Sequence, residues 1–349
     1  MTRTRTRTIR IALAARPIRL ALVAAALVAA LVAAACGGTS AGSSGGDGKK
    51  LTLVAYSTPQ EAYESIIPAF QRTPQGKGVK FDQSYGGSGE QSRAVEGGLP
   101  ADVVAFSLAP DVDRLVDADL VEANWARTKY DGFVTDSVAV LAVRKGNPKH
   151  VESWDDLVKP GVEVITPNPY TSGGAKWNIM AAYGAQLEQG KSEDQAKDYL
   201  SKLFDHVPVL DKSAREALQT FSAGKGDVLV SYENEAITAR QKGEDIDYVI
   251  PDQTILIQNP AAVTSDAPKA AGDFLAFLRG PTAQRIFAEK GYRTVDPSLA
   301  DTKTYPVPPK LFEIDKLGGW SKVNDEFFDP EGGIITDIFQ SQGKSTASG

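Results

Sequence analysis

Hydroxyl residues and glycines recur in this sequence where helices can begin, and that pairing is the chemistry of anion binding. Thr58-Pro59-Gln60-Glu61 has the T-x-x-E spacing of a capping box, with proline at the first helical position. Gly86-Gly87-Ser88-Gly89-Glu90-Gln91 offers Ser88 as a cap with Gln91 three residues on. Thr171-Ser172-Gly173-Gly174 opens a third helix, Ser213-Ala214-Arg215-Glu216 a fourth with S-x-x-E spacing, and Tyr232 leads into a fifth over residues 233–242. Each helix N-terminus carries unpaired backbone N–H groups and about half a positive charge. Several of them meeting in one cleft make an anion site without lysine or arginine. Glycine at 86, 87, 89, 173 and 174 lets a ligand come close to the backbone. Any one capped helix is ordinary structure. Their repetition carries the reading, and only as far as an anionic ligand.

Catalytic arrangements fare worse. Gly86 to Glu90 ends in glutamate where a nucleophile elbow needs glycine, and Gly184 to Gly190-Lys191-Ser192 encloses five residues where a Walker A loop needs four. His150 follows Asn147-Pro148-Lys149, a turn, and His206 precedes an apolar run; neither has a second histidine or a cysteine at metal-ligand spacing. The single cysteine excludes a disulfide framework. The 349 residues carry 38 bases and 44 acids, a formal charge of −6. Six arginines lie in the first 35 residues, which hold no acid, so the remainder carries 32 bases against 44 acids, or −12. A body that acidic has no general field for nucleic acid.

These junctions need a scaffold, and the pattern around them supplies one. LTLVAY (51–56), VKFDQSY (79–85), VEVIT (162–166), VPVL (207–210) and DVLVSY (227–232) read as strands, each followed by one of the helix starts. Tyr63, Ile66, Ile67 and Phe70 fall at i, i+3, i+4 and i+7, so the first helix packs back on its strand, with Pro68 expected to kink or shorten it. The helix after Gly174 is expected to run through Ala182. Strand and capped helix in alternation indicate α/β construction with parallel strands. The apolar stretches 137–143 and 254–257 are the candidate crossovers. They divide the chain into one lobe of residues 51–137 plus 253–340, a second of 143–250, and a hinged cleft between them. Residues 341–349 read as a disordered tail.

The start of the chain has another purpose. An arginine-rich opening leads into an unbroken run of Leu, Val and Ala over residues 20–35, the length of a signal h-region rather than a membrane span. Residues 1–35 therefore read as a lipoprotein-type signal peptide, with Cys36 as the lipidation point after three alanines. Residues 36–50 form a Gly/Ser-rich tether that holds the folded part off a membrane, outside the cytoplasm.

Longer motifs carry a resemblance. DQSYGGSG (82–89), LAVRKGNPK (141–149), VITPNP (164–169) with TSGGAKWN (171–178), SAR (213–215), ENEA (233–236), and LFEID (311–315) with GGW (318–320) resemble the periplasmic sulfate-binding proteins of ABC importers. The resemblance covers nearly all of residues 51–340. It implies the two-lobed type II binding-protein clamp, closing on a sulfate held by backbone N–H groups and neutral side chains. The donors it implies are the Ser88 and Ser172 hydroxyls and the N–H groups of Gly173, Gly174 and Ala214. Ser57 stands where the family more often has Asp and donates from its main chain. Tyr232 stands where the family has Trp, and tyrosine at the comparable place is a feature of related molybdate-binding proteins. The implied partners are sulfate or a related oxyanion, an ABC permease and its ATPase, and the membrane through a lipid anchor. The implied protein is a monomer with no cofactor, metal or catalytic role. Thiosulfate, molybdate and tungstate are the alternative ligands, and an extracellular ester hydrolase with an oxyanion site is the alternative of another class. A cleft made only of donors prefers a fully ionised anion; a carboxylate in it, Glu233 or Asp211, would admit a protonated one such as phosphate.

Overall fold

The computed structural model describes residues 50–347. The signal segment 1–35, Cys36 and the tether up to residue 49 lie outside the described residues. Ten strands form one sheet: β1 (Lys50–Tyr56), β2 (Lys80–Gly86), β3 (Val103–Ala105), β4 (Phe133–Arg144), β5 (Val164–Pro167), β6 (Leu210–Asp211), β7 (Val228–Tyr232), β8 (Ile246–Val249), β9 (Gln253–Val263) and β10 (Lys310–Phe312). Their spatial order is β2-β1-β3-β9-β4-β7-β5-β6, with β10 beside β9 and β8 beside β4.

Two parallel pieces lie within that order. β2-β1-β3 is one and β7-β5-β6 the other, and antiparallel β9 and β4 join them. β4 and β9 have 12 and 11 residues, so each is roughly 40 Å long. That is enough to serve both pieces. Residues 133–138 of β4 pair with β9 while residues 139–143 pair with β7, and the end of β9 pairs with β3. Both apolar stretches expected to cross between lobes lie inside these two strands.

Helices cover both faces of each piece, as α/β layering requires. On the first piece, α1 (Gln60–Gln71), α8 (Lys269–Leu278) and α9 (Pro281–Glu289) bury Tyr63, Phe70, Phe274 and Phe287, with Tyr63 and Phe287 edge to face at 6.0 Å. α2 (Ser88–Glu96) and α3 (Ala109–Asp117) cover the other face through Val95, Val112 and Leu115. On the second piece, α6 (Ala214–Ser222) and α7 (Glu233–Gln241) contribute Phe221 and Ala236. α4 (Gly173–Glu188) and α5 (Glu193–Asp205) contribute Trp177, Tyr183 and Phe204 opposite.

Several local expectations are corrected. α1 continues past Pro68 to Gln71, because its apolar face is buried along its whole length. Thr58 does not cap that helix; Pro59 occupies the N-cap without a side-chain bond, and the Thr58 hydroxyl pairs with Tyr292 Oη at 3.1 Å. α4 runs to Glu188 rather than Ala182, and Gly184 is where the Phe312 ring presses on it, since a Cβ there would lie 2.3 Å from that ring. The VPVL strand shrinks to Leu210–Asp211. Residues beyond 310, read with the first lobe, bury their aromatic side chains elsewhere. α10 (Gly319–Phe327) and α11 (Ile334–Ser341) set Phe327 4.8 Å from Tyr183 and Phe339 4.9 Å from Phe204, in the core of the second piece. Of the tail, Gln342 and Lys344 are tied by hydrogen bonds to the carbonyls of Ser201 and Val207.

Candidate anion-binding cleft

Six strand-to-helix turns meet where the two pieces of sheet face each other. A small cavity there is lined by Tyr56, Ser57 and Thr58 after β1, Gly86, Gly87 and Ser88 after β2, and Ser107 after β3. The opposite side supplies Ser172 and Gly174 before and in α4, Ala214 at the start of α6, and Tyr232 at the end of β7. No charged side chain lines it. Helix N-termini α2, α4 and α6 therefore point backbone donors and partial positive charge into a neutral pocket.

Sequence reading named seven residues for this cleft, and the fold brings six of them to one cavity: Ser57, Ser88, Ser172, Gly174, Ala214 and Tyr232. Gly173 is not in the lining. It backs the site instead, since a Cβ there would lie 2.7 Å from Leu108 and 2.9 Å from the Ser107 side chain. Tyr56, Thr58 and Ser107 also line the cavity; the sequence reading marked Thr58 only as a helix cap and did not single out Tyr56 or Ser107. The signal for Ser107 is weak: β3 has only three residues, and the N-cap of α3, Leu108, makes no side-chain cap bond.

Ser88 needs correction. The N-cap of α2 is Gly87, and Ser88 is the first helical residue, wholly buried. Its hydroxyl donates to Asp111 Oδ2 at 2.5 Å and accepts from the Ser107 N–H at 2.9 Å. Gln91 closes no capping box; its side-chain Oε1 accepts from Ser84 Oγ at 3.2 Å. Ser213 does cap its helix, accepting from the Glu216 N–H at 3.2 Å. Ser172 sits at the N-cap of α4 without a side-chain cap bond, on the cavity wall.

The two walls are closed on each other. The Glu90 N–H donates to the Thr171 carbonyl at 3.2 Å, and Arg93 donates to the Tyr170 carbonyl at 3.1 Å. Gly87 makes that approach possible, because a Cβ on it would lie 2.6 Å from the Thr171 oxygen and 3.0 Å from that of Lys212. Farther out, Arg215 on α6 reaches across to Glu61 on α1 with both terminal nitrogens, and to the Thr58 carbonyl at 3.2 Å. Burial alone would raise the Glu61 pKa, but hydrogen bonds from Arg215 and Lys242 hold it down at about 2.

The carboxylates considered as cleft acceptors lie elsewhere. Glu233 is buried against Arg293 at 2.7 Å, and Asp211 accepts from Thr220 at 3.0 Å. Neither lines the cavity. Among the described residues, no group of three or more His, Cys, Asp or Glu side chains is arranged to hold a metal ion.

This architecture has relatives. The family model of bacterial extracellular solute-binding proteins matches residues 51–293. The chain belongs to that family. A sulfate-binding protein of Synechococcus elongatus is 44% identical to this binding protein over 321 residues, covering 88% of this chain and 91% of the relative. A thiosulfate-binding protein of Pseudomonas aeruginosa is 35% identical, covering 86% and 96%. Among solved structures, the sulfate-binding protein SubI from Mycobacterium tuberculosis H37Rv superposes with a TM-score of 0.78 at 44% identity, covering 80% of this chain and all of that one. The periplasmic binding protein P5PA, at 20% identity and TM-score 0.61, shares the fold. The two-lobed clamp expected of this binding protein is thus the architecture of its structural relatives.

Proposed function

We propose that this binding protein captures sulfate outside the cytoplasm and presents it, clamped, to the permease and ATPase of an ABC importer. One observation supports this most: a closed cavity at the meeting of helix N-termini, lined by Ser, Thr, Tyr, Gly and Ala and by no charged side chain. Such a lining offers backbone N–H and hydroxyl donors, as a dianion that carries no proton requires. Charge-assisted hydrogen bonds contribute roughly 1.5–3 kcal/mol each, so six or seven offset the desolvation of a dianion and leave a surplus for binding. The names of the relatives, sulfate-binding at 38–44% identity and thiosulfate-binding at 33–35%, point to the same class of oxyanion. The cleft holds no arrangement of nucleophile and base, which favours a binder over an ester hydrolase.

In this reading, one lobe comprises residues 51–137 with the chain from 253, and the other residues 143–250 with the last helices packed on it. β4 and β9 act as the hinge. Ser57, Ser88, Ser172, Gly174, Ala214 and Tyr232 surround the anion, with Gly173 behind the wall. Cys36 carries the lipid that keeps the protein, as a monomer, at the membrane. Equilibrium dialysis against labelled sulfate, with thiosulfate, molybdate, tungstate and phosphate as competitors, tests the ligand. The expected result is one site per chain from which sulfate or thiosulfate displaces the label, while molybdate, tungstate and phosphate do so poorly. Displacement by molybdate at lower concentration than by sulfate would transfer the protein to the molybdate binders.

A further inference from the structure

The helix α4 begins without a cap of its own. Ser172 occupies its N-cap with no side-chain cap bond, and no acidic residue stands in its first turn. In α6, by contrast, Ser213 caps the helix and Glu216 lies in the first turn. A helix start that keeps its N–H groups and its serine hydroxyl for a ligand cannot spend them on holding itself in place, so other contacts have to fix the turn. Part of this comes from the second lobe itself, where Thr171 Oγ1 donates to the Lys212 carbonyl at 2.7 Å and the Tyr170 N–H to Asn168 Oδ1 at 2.9 Å.

The chain after residue 310 supplies the rest, on both sides of the turn. Before it, Tyr170 is buried with its Oη 2.5 Å from Thr336 Oγ1 on α11, and its ring stands edge to face with Phe339 at 6.0 Å. Thr336 gives its own proton to the Asp329 carbonyl at 2.6 Å, a pure acceptor, so Tyr170 is the donor to Thr336. After it, Trp177 stands edge to face with Trp320 of α10 at 4.6 Å. Lys176 donates to Asn324 Oδ1 at 2.7 Å, with its ammonium 4.9 Å from the centre of the Phe328 ring. Ser172 and Gly174, both lining the cavity, lie between these anchors. The anchors also carry contacts to the first lobe: the Tyr170 carbonyl accepts from Arg93 at 3.1 Å, and Trp177 Nε1 donates to the Ser107 carbonyl at 2.8 Å. One segment thus holds the donors of the second lobe together with atoms on which the first lobe closes.

We propose that the C-terminal segment is a positioning element of the anion site, with Thr336 and Trp320 as the positioning residues that act through Tyr170 and Trp177 on the turn supplying Ser172 and Gly174. This rests on the oxyanion-binding reading above and gives residues 320–339 a part in it that neither the motifs nor the resemblance assigned.

Titration calorimetry on the full chain, with sulfate, thiosulfate and molybdate as probes, tests it on whichever anion the wild-type protein binds. Thr336→Val, which keeps the shape and loses the hydroxyl, and Trp320→Leu are each expected to weaken binding by about tenfold, the scale of one hydrogen bond. Thr336→Ser restores the hydroxyl and is expected to bind within twofold of wild type. Phe327→Leu is the control, because that ring packs on Tyr183 farther along α4. It should lower the melting temperature without changing affinity by more than twofold. Thermal melting without anion checks that each variant folds. Affinity within twofold of wild type in either folded Thr336→Val or folded Trp320→Leu would overturn the proposal. So would an equal loss in Phe327→Leu, because affinity would then follow the stability of the segment rather than the placing of the turn. A wild-type protein that binds none of the three anions would overturn the functional reading, and this proposal with it.

Discussion

Gly87 and Ser88 sit side by side in the wall of the cleft, yet their replacement should fail in different ways. A methyl group on Gly87 would lie 2.6 Å from the Thr171 oxygen, so Gly87→Ala has to hold the lobes apart. Its sulfate affinity should fall by at least tenfold while the melting temperature without anion changes little, and small-angle scattering should find no compaction on adding sulfate. Wild-type affinity in that variant would remove the close approach from the account. Ser88→Ala deprives a buried carboxylate, Asp111, of a donor and the Ser107 N–H of its acceptor. Leaving such groups unpaired costs about 1–3 kcal/mol. That cost should appear in chemical denaturation without any ligand, and an unchanged midpoint would contradict it.

The helix starts differ in how legible they were. Ser213 announces itself through S-x-x-E and does cap α6, whereas Thr58 has the same spacing and spends its hydroxyl on Tyr292, a residue more than two hundred positions away. Local spacing cannot reveal a partner that only the closed fold brings near. Ser107 escaped for a related reason, since a three-residue strand has no periodicity to read. The helices that follow the cleft also carry its pH dependence. Burial raises Glu235, on α7, to about 7 despite the attraction of Arg215. Its pKa in the folded protein lies above its ordinary value of 4.5, so between about pH 4.5 and 7 the folded state keeps a proton that the unfolded chain gives up. Glu235 therefore lowers stability as pH rises through that window, by on the order of 2–3 kcal/mol. Glu235→Gln should be more stable than wild type at pH 8 and nearly equal to it at pH 4, as read by denaturant midpoints. An equal gap at both pH values would contradict the assignment.

At the scale of the molecule, two long antiparallel strands were legible as crossovers because they read as continuous apolar stretches, buried on both faces. The return of the chain through β10 to the second core was not, because three residues and an irregular approach leave no pattern. What the whole fold achieves is a neutral cleft inside an acidic protein, where short-range backbone dipoles outweigh a net charge screened within about 10 Å at ordinary salt. Such a cleft should tell a proton-free anion from one that keeps a proton, because the proton of phosphate would meet a donor or lie unpaired. Titration calorimetry at pH 8 with sulfate and with phosphate measures that discrimination directly. A single sulfate site with phosphate at least a hundredfold weaker is the expected result, and comparable affinities for the two would contradict a cleft built of donors alone.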